Sequence, residues 1–214
     1  MLFPRERLQW IRVFVSAVKQ ALLGAKAPAA WMALTYLLGV TVGASMVHMQ
    51  NRRALEFRDR LVGHAVETSP ILKNLEKGFP VRAALLDFGA NLGLGAAPET
   101  VMGLSVVMPF PLAAFRGWVG GIVSVDGAHQ SRLVGREGVY YLTVLTLQLI
   151  PYSLAGGAGV RLGLSLLMPR SRWGYVGTKK WLTIPLDGVR DVGLIYVLIV
   201  PLFLVASLVE FLVR

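Results

Sequence analysis

Residues 147–167 read LQLIPYSLAGGAGVRLGLSLL, and this stretch decides how the rest of the chain is interpreted. It is apolar enough to lie in a bilayer, yet it contains four glycines, a proline, a glutamine and an arginine. A helix that faces only lipid needs none of these residues. Small residues let helix backbones approach closely inside a membrane, where water supplies no driving force for association. We therefore predict that this stretch packs tightly against other helices.

The arginine of this stretch permits two interpretations. Arg161 lies between Gly159 and Gly163, which are four residues apart and form a small-xxx-small pair on one helix face. In hydrocarbon, the arginine is costly unless it meets a carboxylate, a carbonyl or water. Either it snorkels to the interface from a packed span that Pro151 kinks, or it belongs to a polar site at the helix contact.

The composition of the whole chain is that of a polytopic membrane protein. Its 214 residues are 55% hydrophobic, and the mean hydropathy is +0.59. A spanning helix needs about 20 residues, so the chain has room for about five spans with short loops. The absence of cysteine excludes disulfides, thiolate catalysis and cysteine-ligated metals. The predicted fold is an all-α bundle of about five transmembrane helices.

Residues 1–28 are predicted to form a separate amphipathic helix that lies in the membrane interface. Apolar residues recur at steps of three and four, and a second stripe is basic. The basic stripe consists of Arg5, Arg12, Lys19 and Lys26. Such helices lie on membrane surfaces; packing on the cytoplasmic face of a partner protein is the alternative. Pro28 is expected to end this helix, and 29–214 to form a single transmembrane domain.

The apolar runs predict spans at 29–49, 81–107, 112–125, 139–168 and 192–213. Glycines and Pro98 interrupt the second run. It is either a broken helix with a charge at the break, as in some transporters, or two short helices that meet near the surface. The third run is short for a span and is either re-entrant or tilted. Whether these two segments cross the membrane fully stays open.

The net charge of +10 is assigned to lipid and not to nucleic acid. Each Lys or Arg near a membrane surface gains about 1 kcal/mol from anionic headgroups. The positive-inside rule does not decide the orientation of a five-span chain, because the segments on the two sides of the membrane carry equally many basic residues. We place the N-terminus and the basic, aromatic-rich loop at 169–191 on the cytoplasmic side of a prokaryotic plasma membrane, since the inner leaflet is anionic.

Polar residues within the apolar runs are predicted to form a buried network of Asp87, Glu99, Arg116, Gln148 and Arg161. A charge at the bilayer centre costs at least about 2.5–3.5 kcal/mol on insertion scales. We therefore expect the two acids to balance the two arginines. Seven glycines are predicted at helix contacts; they are Gly39, Gly43, Gly117, Gly121, Gly156, Gly159 and Gly163.

Several of these segments resemble the stage II sporulation protein M (SpoIIM-like) family of multipass membrane proteins. The family pattern AG-x-x-G-x-R-x-G corresponds to residues 155–163, and YLLGVTVGA (36–44) and VRAALLDFGANLGLGA (81–96) are similar to its first two helices. The resemblance covers about 36–167. Where the family often has a glutamate ahead of the pattern, this chain has Gln148. The resemblance implies a scaffold or subunit of a membrane protein complex with its N-terminus inside.

Catalysis, metals and cofactors are not expected. The three histidines include no H-E-x-x-H motif, and the serines at 105 and 165 do not continue as G-x-S-x-G. The glycines also lack the strand and lysine of a phosphate-binding loop. Two function classes remain. One is a scaffold that binds other membrane proteins or further copies of itself; the alternative is a permease or channel subunit that works with a separate ATPase.

Overall fold

The computed structural model describes residues 4–167 and 186–213, with side chains from residue 9 onward. Apart from an isolated bridge between Val125 and Ser131, the described residues contain no β-structure. The helices are α1 (Pro4–His48), α2 (Arg52–Thr68), α3 (Pro70–Glu76), α4 (Pro80–Ala90), α5 (Ala97–Met102), α6 (Pro109–Ile122), α7 (Gly135–Leu167) and α8 (Leu186–Leu212). A π-helical segment (Asn91–Ala96) joins α4 to α5, and a 3₁₀ turn (Gly103–Ser105) follows α5. The predicted basic loop lies largely outside the described residues.

Three of the described helices are long and apolar enough to cross a membrane. They are Gln9–His48, Gly135–Leu167 and Leu186–Leu212. Each exceeds the length of about 20 residues that a bilayer requires. The prediction of an all-helical membrane protein is thereby confirmed. The remaining apolar segments are shorter: α6 has 14 residues, and the π-helical segment divides the run from α4 to α5.

The N-terminal segment differs from the prediction, because α1 is one helix of 45 residues that continues through Pro28. A proline inside a helix costs about 3 kcal/mol, since it removes a backbone hydrogen bond and crowds the preceding turn. Burial offsets this cost here. Ala25 and Ala29 on either side of Pro28 are buried, and the guanidinium of Arg161 lies against Gly24 one turn earlier. Tertiary packing therefore overrides the local stop signal.

Contacts between α1 and α7 fix their relative direction. Gly157 of α7 meets the backbone of Ala29, and Arg161 of α7 donates a hydrogen bond of 2.7 Å to the carbonyl of Ala21. As α7 advances, its partners on α1 have lower numbers, so the two helices are antiparallel. We call the two ends of the bundle the Arg161 end and the His48 end.

The other long segments alternate in the same way. Ser207 of α8 contacts Asp87 of α4, and Tyr196 contacts Thr100 of α5, so α8 is antiparallel to the run from α4 to α5. That run ends beside Gly163 of α7, because the 3₁₀ turn packs there. The turn that follows α5 thus lies toward the Arg161 end, and α6 returns toward the His48 end.

Helices α1 and α6 cross through two interlocking pairs of glycines. A Cβ atom on Gly39 or Gly43 would overlap the backbone of α6, and one on Gly117 or Gly121 would overlap the backbone of α1. Each pair is spaced four residues apart, so both glycines of a pair share one face. The backbones therefore touch directly, which fixes the depth and angle at which α6 packs.

The His48 end is closed by α2 and the loop at 123–134. Arg58 of α2 is buried and donates a hydrogen bond of 3.2 Å to the carbonyl of Val125. Its neighbour Asp59 contacts His129 of the loop at 2.9 Å. The hydrogen bond from Arg58 is the main cause that lowers the pKa of Asp59 below its ordinary value, and the contact with His129 adds to it.

The glycine-rich half of α7 is the central element of the bundle. Between Pro151 and Ser165 every residue is buried except Leu154 and Leu164, which are half-buried. A Cβ on Gly159 would overlap the backbone of Thr100, and a Cβ on Gly163 would overlap the backbone of the 3₁₀ turn. One face of α7 thus packs on α1 and another on the run from α4 to α5.

We predict that Gly159→Ala lowers the melting temperature in detergent, because even one methyl group would meet the rigid backbone of Thr100. Overpacking of this kind costs about 1–3 kcal/mol. The matched control is Gly193→Ala in α8, where nothing lies within 4 Å of the added Cβ. Alanine there gains about 0.5–1 kcal/mol of helix propensity. Equal melting temperatures for the two variants would contradict the close contact.

Candidate functional site

A buried ion pair joins α5 to α6 in the interior of the bundle. The side chain of Glu99 is 1% exposed, and its Oε2 accepts a hydrogen bond from Nη1 of Arg116. The guanidinium carbon of Arg116 also lies 3.9 Å from the centroid of the Tyr152 ring on α7. The carboxylate and the aromatic face both stabilise the charge of the partly buried arginine. Three helices therefore meet at one charged contact.

The π-helical segment orients this contact. A π-helix accommodates an extra residue and rotates the helix that follows it. After the segment, Glu99 and Thr100 are both buried. The hydroxyl of Thr100 lies 3.0 Å from the carbonyl oxygen of Ala155 and 2.8 Å from the hydroxyl of Tyr196. The run is interrupted at 91–96 by a change of helix winding and not by a loop, so two short helices that meet at a loop are not observed.

A second cluster of polar residues surrounds Asp87. Its Oδ2 accepts hydrogen bonds from Nδ2 of Asn91 at 2.8 Å and from the hydroxyl of Ser207 at 2.7 Å. Asn91 in turn accepts a hydrogen bond of 2.6 Å from the hydroxyl of Tyr152. Since the ring of Tyr152 also carries the guanidinium of Arg116, the two clusters form one continuous network.

The predicted partners of Arg161 were wrong. Its Nη2 lies 2.8 Å from Oδ2 of Asp191 on α8, and neither Asp87 nor Glu99 pairs with it. Arg161 is nevertheless buried, with 8% of its surface exposed. It therefore does not simply snorkel into water. The physical reason is depth: Arg161 lies near the end of α7, beside the start of α8, whereas Glu99 lies deeper and binds Arg116.

Gln148 also has a partner that was not predicted from the sequence. Its Nε2 donates a hydrogen bond of 2.7 Å to Oε2 of Glu210 on α8. A lone acid in an otherwise apolar run is a signal in itself, since such residues inside membranes are costly. Asp191 is the last residue of the predicted loop, because the predicted last span begins at residue 192. The sequence did not predict that the network includes Asn91, Tyr152 and Ser207, because polar uncharged residues are common in packed helices.

The structure brings together three of the five predicted polar residues in one network and leaves two outside it. Asp87, Glu99 and Arg116 are connected through Tyr152 and Asn91. Gln148 and Arg161 each bind α8 separately. All seven predicted glycines lie where an added Cβ would overlap a neighbouring helix or side chain. At Gly156 the neighbours are Met32 and Oε1 of Glu99.

The structure describes the side chains of only three of the four residues in the predicted basic stripe. Arg12, Lys19 and Lys26 are exposed on α1, and the side chain of Arg5 lies outside the described residues. Among the described residues no three His, Asp or Glu side chains are grouped so as to hold a metal ion.

No protein-family model, curated protein or solved structure matches the chain. The chemistry available to the site is therefore judged from its own contacts. Arg116 and Arg161 each have a carboxylate partner, and the side chains of the network bond to one another across helices. Such an arrangement fixes the positions of helices, and in the part of the chain that the structure describes Asp87 is bonded to neutral groups alone.

We predict strong energetic coupling between Glu99 and Arg116. In a double-mutant cycle with Glu99→Gln and Arg116→Gln, scored by thermal unfolding in detergent, residues in direct contact couple by about 0.5–3 kcal/mol. Arg161→Gln should couple to Asp191→Asn in the same range. The control cycle combines Arg161→Gln with Glu99→Gln, which bind different partners. Coupling in this control as large as in the direct pairs would show that the pairing is misassigned.

Proposed function

We propose that this chain is a SpoIIM-like integral membrane subunit that holds partner proteins of a membrane complex and performs no catalysis itself. The family resemblance of the sequence supports this function. The observation that carries it is the N-terminal arm, which we define as residues 9–16 of α1. Every residue of the arm is exposed, and its apolar members include Trp10, Ile11 and Phe14.

The length of α1 explains why the arm needs a partner. From Ala21 to His48 the helix measures about 40 Å at 1.5 Å per residue, which exceeds a hydrocarbon core of about 30 Å. The arm lies beyond Ala21, so a straight α1 carries its apolar side chains out of the core. Exposed apolar surface outside lipid marks a protein or membrane contact. The basic residues beside the arm suit anionic headgroups.

The interior of the bundle favours a scaffold over the alternative. Its charges are committed to contacts between helices: Glu99 to Arg116, and Arg161 to Asp191. Buried pairs of this kind specify which helices pack together. A permease or channel subunit working with a separate ATPase remains the second candidate. It is favoured by the polar network from Glu99 to Asp87, because polar residues inside membranes also line transport sites.

We also propose that the chain crosses a prokaryotic plasma membrane five times, with its N-terminus on the cytoplasmic side. Support comes from the alternating directions of the helices and from the run from α4 to α5. That run covers residues 80–102, or about 34 Å at 1.5 Å per residue, which is enough to cross. The turn after it then lies on the inner side, and α6 completes a hairpin.

The absence of cysteine makes this topology directly testable. We predict that single cysteines at Gln9 and Val107 react with a membrane-impermeant maleimide only after cells are opened, because both positions lie toward the inner side. Cysteines at Lys73 and Val213 should react in intact cells. The parent chain is the unreactive control. Reaction at Gln9 in intact cells would reverse the orientation, and protection of Val107 on both sides would exclude a full crossing by 80–102.

The scaffold function predicts a set of membrane or envelope proteins that co-purify in mild detergent through the arm. Replacing Trp10 and Phe14 by alanine should reduce their recovery at least severalfold, because the apolar contact is lost. The matched control is Trp31→Ala on the same helix. Trp31 is 62% exposed against 69% for Trp10, but it lies within the span. Recovery is measured by quantitative mass spectrometry with equal amounts of bait.

The outcomes separate the two candidates. An ATPase as the main co-purifying protein would overturn the scaffold in favour of transport. Equal recovery with the arm variant and with Trp31→Ala would show that the arm does not bind the partner.

A further inference from the structure

Asp87 differs from Glu99 and Asp191, because none of the described residues supplies it with a cationic partner. Glu99 pairs with Arg116 and Asp191 pairs with Arg161, whereas Asp87 is bonded to an amide and a hydroxyl. An ionised carboxylate taken out of water without a positive partner is strongly disfavoured. Such a residue inside a membrane protein therefore indicates a bound cation or proton.

The groups around Asp87 come from two helical segments and can supply oxygen ligands to a cation. The carboxylate of Asp87 and the hydroxyl of Ser207 are already 2.7 Å apart. The amide of Asn91 points its nitrogen at Asp87 and its oxygen at Tyr152. A half-turn of this amide would present oxygen to Asp87, and the hydroxyl of Tyr152 can accept a hydrogen bond as readily as donate one. Carboxylate, amide and hydroxyl oxygens are the ligands that hard cations take.

Charge balance points to a monovalent ion. The neighbouring arginine, Arg116, is compensated by Glu99, and Asp87 carries the only charge in its own hydrogen-bonded group with Asn91 and Ser207. A monovalent cation neutralises that charge, whereas a divalent one would leave an uncompensated positive charge in a medium of low dielectric.

The site lies within reach of the His48 end. Asp87 is about 10 Å along the helix that begins at Pro80, and Ser207 is about 8 Å from the end of α8 at Leu212, at 1.5 Å per residue. Asp87 is half-buried, so the surrounding helices do not enclose it completely.

We propose that Asp87, Asn91 and Ser207 form a binding site for a small monovalent cation, Na⁺, between α4 and α8. Tyr152 positions the amide of Asn91, and water completes the coordination. The ion links α4 to α8 and replaces the missing positive partner of Asp87. This site goes beyond the scaffold function and does not depend on it.

The test is a titration of the purified full chain with NaCl against choline chloride at constant ionic strength and pH. A ligand that binds only the folded chain raises its stability with the logarithm of ligand concentration. At a tenfold excess over Kd, the melting temperature should rise by about 3–6 °C with NaCl and not with choline chloride. Radioactive sodium should bind in a ratio of one ion per chain and be displaced by unlabelled NaCl.

Three variants locate the site. Asp87→Asn should abolish the sodium-dependent rise, and Ser207→Ala should raise the sodium concentration at its midpoint severalfold. Glu76→Gln, which removes an exposed acid at the end of α3, should behave like the parent chain. If Asp87→Asn does not fold, the Ser207→Ala titration and the sodium stoichiometry decide the matter.

Several results would overturn the proposal. They are the absence of a saturable sodium effect in the parent chain, an equal effect of choline, and an unchanged effect in Asp87→Asn or Ser207→Ala. A melting temperature that depends on pH through Asp87 but not on sodium would also overturn it, because Asp87 would then carry a proton.

Discussion

Direct backbone contact along the glycine-rich half of α7 is the constraint on which the other features of the bundle depend. Gly157 rests on α1, while Gly159 and Gly163 rest on the run that leads from α4 to the 3₁₀ turn. Between apolar helices in a membrane, lipid is as good a neighbour as protein, so specificity comes from close packing and polar contacts. At these distances a helix cannot slide or rotate without overlap. Each polar side chain on α7 is thereby held at a fixed depth and direction.

Fixed depth determines which charges meet. Arg161 is held near one end of α7, where Asp191 enters on α8, whereas Tyr152 is held deeper and presents its ring to Arg116. Glu99 reaches Arg116 because the π-helical segment turns α5 toward the interior. The charges do not select the packing by themselves. Glycine contacts place the helices, and the ion pairs then penalise any alternative register, because an unpaired buried charge would remain.

The sequence predicted those parts of the fold that depend on local pattern. Glycines spaced by four residues predicted helix contacts at residues 39, 43, 117 and 121, because spacing alone decides whether two small residues share a face. That these two pairs meet each other, as α1 crosses α6, was not predicted. The partners of Arg161 could not be predicted in the same way, since pairing depends on the relative depth of helices far apart in the chain. The prediction that Pro28 ends the first helix was wrong for a related reason. Its local cost is visible in the sequence, but the burial that offsets it is visible only in the assembled bundle.

Pro28 and Arg161 are connected by the geometry of α1. A proline leaves the carbonyl four residues earlier without its helical hydrogen bond, and that carbonyl belongs to Gly24. The guanidinium of Arg161 packs on Gly24 and donates to the carbonyl of Ala21, one turn further toward the N-terminus. A side chain at Gly24 would occupy the place of the guanidinium. The absence of a side chain at Gly24 thus leaves room for the guanidinium, which finds a carbonyl acceptor on Ala21 and a carboxylate on Asp191. The contact of Arg161 with α1 therefore lies in the turn that precedes Pro28, where α1, α7 and α8 meet.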